Sequence, residues 1–245
     1  MVVIEIEITF DFVCAWCFIH KRNLDAAIAL YQKTYPGAKF DVFKISWTPY
    51  YLNYNPHINA VDKLALADVI LADRTPEQRA ALTKRMNAAG RAAGIVFDWG
   101  GKLGPGHATR DAHRLVRLVG RKYGAEMQGW LVEAVMEAYH CRAEDVAEHK
   151  VLKDAARRAG LDAADVEGWL KGDEAGEEVD MEAERSKAAG TGVPVLGIQG
   201  GRAEGVRDVM DLMQLIVICR GGRDDLRGSE LIRWWLQVVN GDDQH

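Results

Sequence analysis

Four cysteines, six prolines and no apolar run near the ~20 residues of a membrane span: the 245-residue chain is marked first by what it lacks. Four cysteines at this length do not make a disulfide scaffold, and a reducing, cytoplasmic compartment is the default expectation. The opening Met-Val-Val-Ile-Glu-Ile-Glu has no basic stretch followed by an uninterrupted apolar one, so no secretory signal is expected. A net charge of −5 gives no electrostatic footprint for nucleic acid or an anionic membrane as a partner. There is no internal repeat and no low-complexity segment. A structural zinc site needs about four ligands, and neither a second C-x-x-C nor an H-x-x-x-H is present. What remains is ordinary for a globular protein: 48% apolar and 27% charged residues, in a length suited to one large domain or a domain with an insertion.

Against that plain background stands Cys14-Ala15-Trp16-Cys17. Val3 to Phe10 alternates β-branched or aromatic residues with Glu5, Glu7 and Thr9, which predicts a strand. From Cys17 onward the period becomes helical, with Cys17, Leu24, Ala27, Ile28 and Tyr31 near one face. A C-x-x-C at a strand-to-helix junction puts its first sulfur at a helix N-terminus, where unpaired N–H groups and the helix dipole favour the Cys14 thiolate. Cys17 lies three residues on, on the same face and within disulfide reach. One sulfur can attack and the other resolve, which is thiol–disulfide exchange. A half zinc site or a pair of core thiols is the weaker alternative.

The second strand is expected at Phe40 to Trp47, followed by a Tyr-, Asn- and Pro-rich loop from Tyr50 to Pro56. Val61 to Ala189 reads as almost wholly helical. Thr75-Pro76-Glu77-Gln78 is a capping-box start, and Gly90 or Gly94 is the matching stop. Asp98 to His107 carries too much Gly and Pro for a regular element. Further helices are expected over Thr109–Val119, Met127–Tyr139, Glu148–Ala159 and Ala163–Leu170, and Asp173 to Glu184 reads as a solvated acidic stretch. Strand character returns over Thr191–Ile198, with a turn at Gln199-Gly200-Gly201 and a weak strand near Ala203. Helices over Arg207–Cys219 and Ser229–Val239 end the pattern. The two strand-bearing ends must meet, because neither holds enough strands for a stable sheet.

In this arrangement the chain resembles the DsbA superfamily of thioredoxin-fold proteins, in its FrnE-like branch. The anchors are Asp11-Phe12-Val13-Cys14-Ala15-Trp16-Cys17-Phe18-Ile19, Ala108-Thr109-Arg110-Asp111-Ala112-His113-Arg114-Leu115, the helical stretch Leu152 to Leu161, and Thr191-Gly192-Val193-Pro194-Val195. The resemblance implies an α/β thioredoxin fold with a large α-helical insertion between the second and third strands. Residues 1–55 and 187–245 would form the thioredoxin-like domain and 56–186 the insertion. It implies a cis Val193–Pro194 bond in a loop facing the cysteines, with the Val193 backbone and Pro194 binding an extended substrate. Two departures stand out: Ala15 replaces the usual Pro, and Ile8 occupies the place, six residues before the first cysteine, where thioredoxin and bacterial DsbA bury an acid.

Other residues read more plainly. Trp16 is a candidate substrate contact and equally a packing residue. Asp11 is a poor second choice of proton acceptor for Cys17 and reads as a turn cap. His20-Lys21-Arg22 reads as a solvated helix face. His113 reads as structural rather than as a cleft residue. His107, His140, Cys141 and His149 are too irregularly spaced for a metal site, and Cys219 reads as an inert buried thiol. Trp234 and Trp235 offer a candidate homodimer contact.

The leading expectation is therefore a cytoplasmic thiol–disulfide oxidoreductase acting on protein or small-molecule thiols and disulfides. Cys14 would be nucleophile, Cys17 resolver, and Trp16, Val193 and Pro194 substrate contacts. No bound cofactor or metal is expected, and glutathione is the co-substrate considered. The alternative is a glutathione-dependent transferase or isomerase of small aromatic molecules, like the kappa-class transferases and chromene-carboxylate isomerases, which generally keep serine at the first cysteine's position. A binding protein with a relic C-x-x-C is the third reading.

Overall fold

In a computed structural model, residues 1–205 and 207–220 are described. Strand β1 (Val3–Phe10) leads into helix α1 (Ala15–Thr34), and a single 3-10 turn (Ala38–Phe40) precedes β2 (Val42–Pro49). The helical region follows: α2 (Lys63–Ile70), introduced by the two-residue strand β3 (Val61–Asp62), then α3 (Pro76–Ala92), β4 (Lys102–Leu103), α4 (Arg110–Tyr123), α5 (Ala125–Cys141), α6 (His149–Arg158), α7 (Ala163–Lys171) and α8 (Gly176–Ala188). Strands β5 (Val195–Ile198) and β6 (Gly201–Glu204) and helix α9 (Val209–Arg220) complete the described fold. The four-stranded sheet has the order β2-β1-β5-β6. This is a thioredoxin-like fold with helices inserted between its second and third sheet strands.

The alternation read from β1 is the burial pattern observed. Ile4, Ile6, Ile8 and Phe10 enter the core while Glu5 and Glu7 face out. β1 pairs parallel with β2, the connection being α1, and antiparallel with β5, where Ile6 meets Ile198 and Thr9 meets Val195. β5 and β6 form a hairpin whose turn, Gln199-Gly200, has φ of 48° and 82°. Two consecutive positive φ values suit the right-handed twist of a two-residue hairpin, and glycine supplies the second at no steric cost.

Four sequence expectations are corrected. The second strand is displaced to Val42–Pro49, because the chain first makes the 3-10 turn at Phe40. It runs through Pro49 because β2 is an edge strand, where a missing N–H is tolerated. His20 and Lys21 are buried rather than solvated: Lys21 Nζ meets Glu133 at 2.5 Å and Asp25 at 2.7 Å, so this turn of α1 is an interface with α5. The acidic stretch forms α8, burying Val179 and Ala183 while its carboxylates pair with arginines of α4. Asp98 to His107 contributes the short strand β4, paired with β3. The helix expected over Ser229–Val239, with Trp234 and Trp235, lies outside the described residues. The Thr75–Gln78 capping box is present in both directions, and Gly94 follows α3 with φ 73°.

The insertion is tied together by arginines of α4. Arg114, buried, donates to the carbonyls of Trp169, Gly172 and Glu174 and pairs with Asp111 at 2.6 Å. It thereby satisfies carbonyls that the end of α7 leaves open. Arg110 bridges Asp173 and Asp180, and Arg117 bridges Glu178 and Glu182.

A second lock joins the start and end of the described chain. Asp41 accepts hydrogen bonds from Tyr31 Oη (2.6 Å), Arg220 Nε (2.6 Å) and the Val2 N–H (2.8 Å). The Tyr31 bond, helped by Arg220 and Val2, outweighs burial and holds the carboxyl at about 2, below the ordinary 3.8. A carboxyl depressed on folding stabilises fully above its unfolded value and loses that contribution as pH falls through the folded one. Asp41→Asn is expected to lower unfolding free energy by about 1–3 kcal/mol at neutral pH. The deficit should shrink between about pH 4 and pH 2; urea unfolding of both proteins across that range checks it.

Candidate active site

Helix α1 begins at Ala15, and Cys14 is its N-cap in extended conformation. The Cys14 Sγ accepts the Cys17 N–H at 3.2 Å, so the sulfur takes up one of the orphan donors at the helix start. The turn is set earlier, where the Asp11 carbonyl accepts the Cys14 N–H at 3.2 Å. Both cysteines are free thiols, Cys14 6% and Cys17 1% exposed. Burial, the Cys14 sulfur and the charge of Asp11 push the Cys17 thiol well above its ordinary pKa, against an opposing contact with the Asp11 backbone. Cys17 is thus held protonated beside a more accessible partner.

The antiparallel pairing of β1 with β5 brings the end of one to the start of the other. As a result Val193 and Pro194 stand against the cysteines, joined by a cis peptide bond, and the Cys14 thiol faces the Val193 carbonyl at 3.7 Å. Pro194 is buried and Val193 half-buried. Trp16 is half-buried, with the Arg85 guanidinium of α3 5.4 Å from its ring.

The insertion closes over this end of α1 and leaves a cavity of about 340 Å³. Cys14 and Trp16 form one side; Leu66 and Lys63 of α2, Met86 of α3 and Tyr139 of α5 form the other. Lys63 Nζ donates to the Tyr139 carbonyl (2.8 Å) and lies 4.1 Å from its ring, and burial lowers its pKa to about 8. Tyr54, from the loop after β2, also lines the cavity, and burial together with the charge of Cys14 raises its phenol pKa. Tyr54 ends the aromatic stretch Trp47 to Tyr54, whose composition is compatible with a small-molecule pocket, whereas Lys63 and Tyr139 belong to no sequence motif. Lys63 and Tyr139 reach the cavity through the packing of the insertion, which leaves no local signal.

The histidines and remaining cysteines are engaged separately. His107 stacks on Tyr51, His149 pairs with Asp111, and Cys141 is half-buried on α5. Burial raises the Cys219 thiol to about 11, and the residue is partly rather than fully buried. His140 is buried, stacked on Phe18, and its Nε2 meets the Phe12 carbonyl at 2.9 Å. Burial and then the charge of Lys63 lower its pKa to about 3, so the ring is neutral and Nε2–H is assigned as donor. Asp11 is not a side-chain turn cap: its carboxylate turns inward, accepts the Leu52 N–H at 2.8 Å and faces His113.

The DSBA-like thioredoxin domain model matches residues 5–217. The chain belongs to this family. No curated protein matches it in sequence. Among solved structures it is similar to a probable DsbA oxidoreductase of Streptomyces coelicolor, with 21% identity and a TM-score of 0.74, over 91% of this chain and 92% of that one. It is also similar to the cytosolic disulfide reductase DsbM of Pseudomonas aeruginosa, solved with GSH (13% identity, TM-score 0.55, 87% and 97% covered). A 2-hydroxychromene-2-carboxylate isomerase shares the fold at 15% identity and a TM-score of 0.55, over 93% and 98%. At these identities the likenesses establish the shared fold.

Because His140 pins the Phe12 carbonyl as a neutral ring, its imidazole resonances are expected to stay fixed between about pH 8 and pH 5 in an NMR titration. Movement typical of an imidazolium in that window would contradict the assignment.

Proposed function

We propose that the protein is a cytoplasmic thiol–disulfide oxidoreductase, in the FrnE-like branch suggested by its motifs, with Cys14 as nucleophile and Cys17 as resolving thiol. The observation that carries the reading is the setting of Cys14. Its sulfur caps a helix N-terminus, accepts the Cys17 N–H, and stands 3.7 Å from the Val193 carbonyl beside a cis proline. That setting aims a backbone N–H at the sulfur from the helix start and keeps an extended backbone segment of substrate within reach of it.

In the cycle the Cys14 thiolate attacks one sulfur of a substrate disulfide, and the other substrate sulfur leaves as a thiolate. Cys17 then gives up its proton and attacks the Cys14 sulfur, releasing the second substrate thiolate and leaving a Cys14–Cys17 disulfide. An external thiol, with glutathione the candidate, reduces that disulfide. Val193 and Pro194 receive the substrate backbone, while Trp16 and the cavity beside it accommodate an apolar group attached to the substrate sulfur. The substrate-selecting wall belongs to the segment 56–186, taken as one inserted unit, and 1–55 with 187–245 as the thioredoxin-like unit.

Cys14→Ser is expected to abolish disulfide turnover, and Cys17→Ser to accumulate mixed disulfides visible by intact-protein mass spectrometry. Equilibration with glutathione buffers should give one two-electron transition between Cys14 and Cys17. Undiminished turnover in Cys14→Ser, or no intramolecular disulfide in any buffer, would overturn the assignment.

A further inference from the structure

Resolution requires a base, and Ile8, at the position where related folds carry an acid, is a fully buried hydrocarbon. Three residues further on, Asp11 is completely shielded from water. Its Oδ2 accepts the Leu52 N–H, but its Oδ1 has no hydrogen-bond partner. His113 of α4, 3% exposed, faces that oxygen through Nε2 at 3.5 Å, and Nε2 is also without a hydrogen-bond partner. Phe10 and Phe12 clamp the imidazole, with ring centroids 4.9 and 4.8 Å away. Two opposed polar atoms without a hydrogen-bond partner in the core depart from the rule that buried polar groups are paired. Such an arrangement calls for a reason other than stability.

The position of Asp11 supplies one. Its backbone forms the turn into α1 and lies against the Cys17 thiol, and its charge acts on that thiol. The other titratable groups under its influence are Tyr51 and Tyr54 from the loop after β2 and Tyr139 of α5, with His113 facing it from α4 and Cys14 at the start of α1. Among the described residues no lysine or arginine lies within ion-pair distance of Asp11. Passing a proton from Cys17 to Asp11 therefore relocates a buried negative charge without adding one, and removes the carboxylate that repels the new thiolate.

Building on the oxidoreductase reading, we propose that Asp11 accepts the Cys17 proton during resolution, with His113 as the positioning residue that steadies Oδ1 and shares the proton. In the mixed disulfide the Cys17 S–H bond breaks and the proton passes to Asp11. The sulfur electron pair forms the bond to Cys14, and the Cys14–substrate S–S bond breaks, its pair leaving on the substrate thiolate. Cys14 and Cys17 are oxidised, the substrate sulfur is reduced, and the reverse reaction returns the proton to Cys17.

The aromatic disulfide DTNB reads the two steps separately, in a full-length chain with Cys141→Ser and Cys219→Ser. Attack by Cys14 releases one coloured thiolate, and resolution by Cys17 releases the second. With the internal base present, the second phase should be nearly flat between about pH 6 and pH 8; in Asp11→Asn it should slow by at least roughly tenfold relative to the first and climb about tenfold per pH unit, as hydroxide takes over. His113→Gln should slow the second phase by a smaller factor and shift its low-pH limb. If Asp11→Asn fails to fold, the wild-type profile and His113→Gln decide the matter. A wild-type second phase that climbs across the whole range overturns the proton site, as does Asp11→Asn with an unchanged phase ratio and profile. Release of a single equivalent by the parent chain at every pH overturns the redox reading and this proposal with it.

Discussion

The antiparallel pairing of β1 with β5 is the constraint from which the site follows. β1 delivers Cys14 at its C-terminal end, and an antiparallel neighbour must place its own beginning there. The Thr9–Val195 register puts Val193 and Pro194 within reach of the sulfur. That register is held by the alternation of Ile4, Ile6, Ile8 and Phe10, since a slip of one residue would turn the whole apolar row toward water and carry the proline loop off the cysteines.

The insertion completes the arrangement from the other side. Its helices are braced by Arg114, whose guanidinium is spent on three backbone carbonyls and Asp111, so α4 cannot shift without stranding a buried charge. The same helix carries His113 to Asp11. About two turns into α1, the contacts of Lys21 and Arg22 with Glu133 tie the cysteine-bearing helix to α5. The cysteine-bearing helix is therefore held by α9 and by the insertion at once, and Tyr31 sets it edge-on against Phe43 of β2.

What could be read from the sequence was whatever depends on near neighbours. The period of two in β1, the strand-to-helix junction at Cys14, the Thr75–Gln78 box and the Gln199-Gly200 turn are written in a few consecutive residues each. Features set by distant partners were misread or missed. Charge composition marks His20-Lys21-Arg22 and the Asp173–Glu184 stretch as solvated, yet each meets opposite charges that only the tertiary fold delivers. Asp11 and His113 lie in two separate motifs, and nothing in either says that their side chains face each other. Lys63 and Tyr139 meet at the cavity for the same reason.

The covalent distance across the site has a consequence for synthesis. Cys14 and the carbonyl it faces are 179 residues apart. At roughly 5–20 residues per second, a ribosome needs roughly 10–40 s to deliver the second after the first. During that interval the nascent thiols have neither β5 nor the proline loop beside them, and the hydrophobic face of β1 has a partner on one edge only. The chain must carry this cysteine pair unfinished through most of its own translation, and only the pairing of β5 with β1 gives the sulfurs their final surroundings.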